Sequence, residues 1–141
     1  MVLLAALLAG LLVGAQPVVA ADERLVVIVH PQRAEQLTRN DVARIFLRKR
    51  RTWSDGQAIV PLNHAAGSAM RQQFSRLVFG ANEERFASYW NERYFQGVLP
   101  PSTLASATAV RRYVAAERNA IGYIRGDQVD DSVRVVLAFG D

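Results

Sequence analysis

The sequence predicts an α/β domain, a small mixed sheet flanked by about four helices and folded as one unit. Short β-branched runs alternate along the chain with segments of helical apolar spacing. No repeat, low-complexity stretch or long linker divides it. The 120 residues that follow an uncharged leading stretch, 1–21, are enough to close a hydrophobic core without metal or disulfide.

Taken in order, Leu25-Val26-Val27-Ile28-Val29-His30 is a continuous apolar run that reads as a strand buried on both faces, stopped by Pro31. Thr38 and Asp41 have the spacing of a capping box, and Val42, Ile45 and Phe46 form the inner face of the helix it starts. Trp53-Ser54-Asp55-Gly56 supplies a turn, and Ala58 to Leu62 a second short strand. The next helix begins near Gly67 or Ser68, carries Met70, Phe74, Leu77 and Val78 on one face, and ends at Gly80. Asn82 is the expected cap of a third helix whose face is Phe86, Tyr89, Trp90 and Tyr94, a stripe that fits the core better than a partner surface. Pro100-Pro101 breaks the chain, and Ser106 caps a fourth helix bearing Val110, Tyr113 and Val114. Ala120 to Ile124 and Val133 to Ala138 complete the strands. Gly122, inside the first of these, fits close backbone packing better than ligand contact.

Composition removes several classes. With 50% hydrophobic and 21% charged residues, the chain is not a disordered or collagen-like sequence. It has no cysteine, which excludes thiolate metal sites and a cysteine nucleophile. The only histidines, His30 and His64, have no carboxylate at a metal-ligand spacing, so both read as structural and no metal or cofactor is expected. Ser68 has no nucleophile-elbow pattern around it and no Gly-rich phosphate loop occurs, so the chain is not read as an enzyme. The net charge of +4 arises from arginine, every basic residue but Lys49. Only Arg48-Lys49-Arg50-Arg51 is dense, and a short run in a loop does not make a nucleic-acid face. It fits a solvated loop better than an anionic or membrane-surface contact. The leading apolar stretch ends in Val18-Val19-Ala20-Ala21, the pattern of a secretory signal peptide over 1–21, with a domain over 22–141 exported to the periplasm.

One stretch has the makings of a binding site. From Asn63 through Gly67 and Ser68 to Arg71, a strand end passes through small residues into a helix. Unpaired N–H groups and the helix dipole favour an anion at such a start. Gly67 leaves the backbone approachable, Ser68 adds a hydroxyl, and Asn63 can donate an amide N–H. The same pattern also fits a Ser68 that only caps its own helix.

Leu37-Thr38, Ile45-Phe46-Leu47, Trp53, the Ser68-to-Phe74 helix, Tyr89-Trp90, Phe95, Gly97, Pro100-Pro101 and Ile121-Gly122-Tyr123-Ile124 follow in an order that resembles the phosphate-binding proteins of bacterial ABC transporters. The closest likeness is to their short, one-lobe members, over about residues 25 to 125. The resemblance implies a periplasmic-binding-protein lobe of type 2, one of two lobes that close on an oxyanion. It also implies an arginine, then Ser-Gly-Thr at a helix start, as the phosphate grip. Here the arginine position falls on Asn63 and the triplet on Gly67, Ser68 and Ala69, so the arginine and the threonine hydroxyl are missing. Arg71 lies one turn inside the helix, away from the position of the family's arginine.

With one lobe, an anion stays half solvated and each contact is worth less. The expectation is therefore a periplasmic solute-binding domain for phosphate or a similar oxyanion, serving ABC-type uptake or sensing and holding its ligand weakly as a monomer. The expected partners are transporter membrane subunits or another periplasmic protein, and not nucleic acid. The alternative is a ligand-free interaction module derived from such a lobe.

Overall fold

The computed structural model describes residues 23–140; the signal peptide expected over 1–21 lies outside the described residues. β1 (Leu25–Val29) is buried along its whole length, as its unbroken apolar run requires. It pairs antiparallel with β4 (Ala120–Arg125) on one side and with β5 (Arg134–Ala138) on the other. β4 in turn runs parallel to β2 (Val60–His64), and β2 parallel to the short edge strand β3 (Ser102–Leu104). The sheet is thus mixed, in the order β3-β2-β4-β1-β5.

Alternation along β1 and β4 sends side chains to two cores. Leu25, Val27, Val29, Ile121 and Tyr123 face α1 (Arg39–Phe46) and α2 (Ala69–Phe79), where Val42, Ile45, Phe46, Phe74 and Val78 meet them. Tyr123 stacks on Phe74 with ring centroids 3.8 Å apart. Val26, Ile28, Ala120 and Ile124 face α4 (Ala107–Ala116), which contributes Val110 and Val114. Gly122 lies beneath α4, where a Cβ would come within 2.5 Å of Val110 Cγ1. Only glycine lets the helix sit that low on the sheet.

The helix ends follow their sequence signals. Thr38 Oγ1 accepts from the Asp41 N–H at 3.2 Å and the Asp41 carboxylate accepts from the Thr38 N–H at 2.9 Å, a complete capping box. Ser68 and Ser106 cap α2 and α4. Gly80 closes α2 in the left-handed region at φ 69°.

Five features differ from what the sequence predicts. β2 begins two residues later than the apolar pattern implies and runs on through Asn63 and His64, because Ala58 is taken by a bridge to Thr52 that closes the preceding turn. β3 follows Pro100-Pro101 unannounced: an exposed three-residue edge strand has no alternation to reveal it. Asn82 heads a short 3-10 turn, Glu83–Phe86, makes no side-chain cap bond, and α3 proper is Ala87–Phe95. No residue of α3 is buried; Tyr89 and Trp90 are half-buried, while Tyr94 is 62% and Phe95 82% exposed, so its aromatics are not core. On α4, Tyr113 is exposed because the close approach over Gly122 narrows the contact to the Val110–Val114 line.

Candidate functional site

β2 carries Asn63 and His64 to its C-terminal end, beside the centre of the sheet. Ala65, Ala66 and Gly67 then reverse the chain, with the Ser68 N–H donating to the Ala65 carbonyl at 3.1 Å. Gly67 takes φ +78°, a value that disfavours any residue with a Cβ. The turn therefore favours glycine at 67, and it delivers the α2 start next to the strand end.

Beneath the turn is a buried polar network. The Tyr123 hydroxyl donates to Asn63 Oδ1, which also accepts the His64 N–H at 3.1 Å. His64 Nε2 lies 2.8 Å from the Tyr123 carbonyl. A carbonyl only accepts, so Nε2 bears the ring proton. Burial holds the His64 imidazole below its ordinary pKa and pushes the Tyr123 phenol well above its own. Both stay neutral and act as scaffold. His30 is likewise structural, its Nδ1 accepting the Gln32 N–H at 3.1 Å. Among the described residues no group of His, Asp and Glu is arranged to hold a metal ion.

Each sequence-predicted site residue can now be placed. Asn63 spends its oxygen on the network, leaving the NH2 end without a hydrogen bond among the described residues. Gly67 and Ala69 are exposed and Ser68 half-buried. Ser68 Oγ accepts the Arg71 N–H at 3.3 Å, as a cap does, while the Ala69 and Met70 N–H groups make no hydrogen bond among the described residues. Arg71 folds back over the turn: its Nη1 donates to the His64 carbonyl at 3.2 Å. Asn63 and Arg71 border one small cavity of about 50 Å³, which Phe74, Phe86 and Trp90 also line.

Sequence reasoning missed Glu83. Its Oε1 accepts the Gly67 N–H at 2.6 Å and its Oε2 lies 2.6 Å from Arg71 Nε. A carboxylate thus already stands where the helix start would hold an anion. A signal existed: the first turn of α2 has no acid and a cation at Arg71, opposite to what the dipole favours. An acid from elsewhere in the chain was to be expected, and Glu83-Glu84 was the nearest pair in sequence after α2.

The basic run is tied into the fold. Arg48 Nη1 donates to the Ile59 carbonyl at 3.5 Å, Arg50 pairs with Glu35 and Asp41, and the Lys49 ammonium lies over the Tyr89 ring.

Fold and site together define a mixed α/β lobe with a polar strand–turn–helix junction at the end of its sheet. No family model and no curated protein matches the chain. Solved structures do. An ABC-type phosphate transport receptor from Vibrio cholerae is 20% identical with a TM-score of 0.65, covering 80% of this chain and 45% of its own. A putative phosphate ABC transporter substrate-binding protein from Clostridium perfringens, with bound phosphate, is 24% identical with a TM-score of 0.66, covering 80% and 44%. PstS from Borrelia burgdorferi is 14% identical with a TM-score of 0.62, covering 80% and 46%. At these identities the likeness is one of fold: the chain has the fold of one lobe of such substrate-binding proteins and spans less than half their length.

Proposed function

We propose that this domain binds phosphate or a related oxyanion for ABC-type uptake or sensing, as a non-enzymatic component exported to the periplasm. The observation that carries the reading is the α2 start, where Gly67, Ser68 and Ala69 lead from the turn into the helix beside Asn63 and Arg71, in a fold shared with phosphate transport receptors. The anion would take the Gly67, Ala69 and Met70 amides, the Asn63 NH2 and the Arg71 guanidinium, displacing Glu83 from the first and the last of these. Charge-assisted hydrogen bonds from such donors are the strong kind, but the exposed turn leaves them partly screened. Binding by the monomer is therefore weak, and a second chain or transporter membrane subunits would be needed to enclose the ligand.

Isothermal titration of inorganic phosphate into monodisperse protein tests this. The expected dissociation constant lies between about 1 μM and about 1 mM. Sub-micromolar binding by a monomer would refute the half-enclosed site, and silence at millimolar phosphate would refute oxyanion binding. A second reading, a periplasmic interaction module that binds no ligand, draws support from Glu83, whose carboxylate already satisfies the Gly67 amide and Arg71.

A further inference from the structure

Glu83 touches both groups that distinguish this turn from an ordinary helix start. The Gly67 amide and Arg71 Nε each lie 2.6 Å from one of its two oxygens, so a single carboxylate bridges the backbone donor and the guanidinium. The first is a charge-assisted hydrogen bond; the second is an ion pair in which Oε2 accepts no hydrogen bond among the described residues. The bridge comes from another element, the 3-10 turn Glu83–Phe86, which has no buried residue and no side-chain cap at Asn82. Its neighbour Glu84 reaches α2 through Gln72 Nε2 at 3.3 Å and is exposed. The segment that presents the carboxylate is held by these polar contacts and by Phe86, whose ring centroid lies 4.8 Å from that of Phe79.

We infer that the Glu83 carboxylate is an internal competitor that occupies the oxyanion's place and sets how tightly an oxyanion is held, an inference that rests on the oxyanion-binding reading above. Arg71 and Glu83 neutralise one another, and an incoming anion would be repelled by a carboxylate already on its donors. Entry requires the carboxylate to leave. The apparent dissociation constant is then the intrinsic one divided by the fraction of molecules in which Glu83 is released. Glu83→Gln keeps the size and removes the charge, so it weakens the competitor without emptying the space.

The test is titration of inorganic phosphate into the wild-type chain, Glu83→Gln and Glu83→Ala. It is followed by the backbone amide resonance of Gly67, with thermal melts to establish that each variant is folded. Both variants are expected to bind phosphate at least about tenfold tighter than wild type, the loss of one hydrogen bond to a charged competitor. A measurement on the wild type alone accompanies it: the Glu83 carboxyl carbon resonance shifts in step with the Gly67 amide as phosphate is added. Equal affinities in folded variants, or a Gly67 amide that titrates while the Glu83 carboxyl stays still, overturn the competitor and leave oxyanion binding standing. If neither wild type nor variants respond at millimolar phosphate, the competitor and the oxyanion reading fall together.

Discussion

Two helix starts on the same face of the sheet are built from the same parts in different ways. At α1 the serine-like cap and the acid are three residues apart, Thr38 and Asp41, and each satisfies the other's backbone N–H. At α2 the cap is Ser68, but the residue in the acid's position is Arg71. The carboxylate comes instead from Glu83, sixteen residues beyond the Gly67 whose amide it takes. The first arrangement is local, forms with the helix and cannot be exchanged for anything in solution. The second joins two elements and leaves donors that a solute anion can compete for. On the oxyanion-binding reading proposed above, what sets the α2 start apart from that of α1 is that its compensating charge is remote.

Breaking α1's cap tests the local half of this contrast. Thr38→Ala removes the side-chain acceptor of a complete box and is expected to cost about 1–2 kcal/mol of stability, read from urea unfolding with an unchanged m-value. Phosphate titration should not respond to it. Ser68→Ala is expected to cost less, about 0.5–1 kcal/mol, because it deletes one bond while Glu83 still holds the turn. The decisive form of that experiment is a pair of cycles. Ser68→Ala with Glu83→Gln should be non-additive, since both act on one turn, and Thr38→Ala with Glu83→Gln should be additive. Additivity in both would mean that the α2 start is as self-contained as that of α1.

The same division governs what could be read before the structure. Thr38–Asp41, the Val42–Ile45–Phe46 face, the Gly80 terminus and the inward Val110 and Val114 of α4 were legible because each depends on residues close in sequence or on a regular period. The turn from Asn63 to Arg71 was legible too, since small residues before a cap have few other uses. Glu83 was not read: the acid-free first turn of α2 calls for a carboxylate from elsewhere, but which one arrives depends on where the turn after α2 returns. The aromatics of α3 misled for a related reason. Helical spacing of Phe86, Tyr89, Trp90 and Tyr94 states that they share a side, but only the packing of α3 outside both cores decides that the side stays largely open. β3 was hidden by its length: three exposed residues pair with β2 only because the parallel crossover brings them there.

The smallest effect sharpens the contrast through pH. The Asp41 carboxyl is held below its ordinary pKa, first by the Thr38 backbone N–H, then by the Thr38 hydroxyl, with Arg50 and Arg44 adding attraction. Its folded pKa therefore lies below the unfolded value of about 3.9. The stabilisation it supplies is fully present above that unfolded value and is lost as pH falls through the lower, folded one. Asp41→Asn cannot titrate, so the stability gap between wild type and Asp41→Asn should be constant near neutral pH and shrink as acid protonates Asp41. Asp55, Glu84 and Asp130 are held low as well and contribute to the acid slope of both proteins, which is why the gap and not the slope is the observable. A gap that persists unchanged to the lowest pH at which the fold survives would mean that the box at α1 works through geometry and not charge. The local carboxylate of α1 and the remote one of α2 would then not differ on electrostatic grounds.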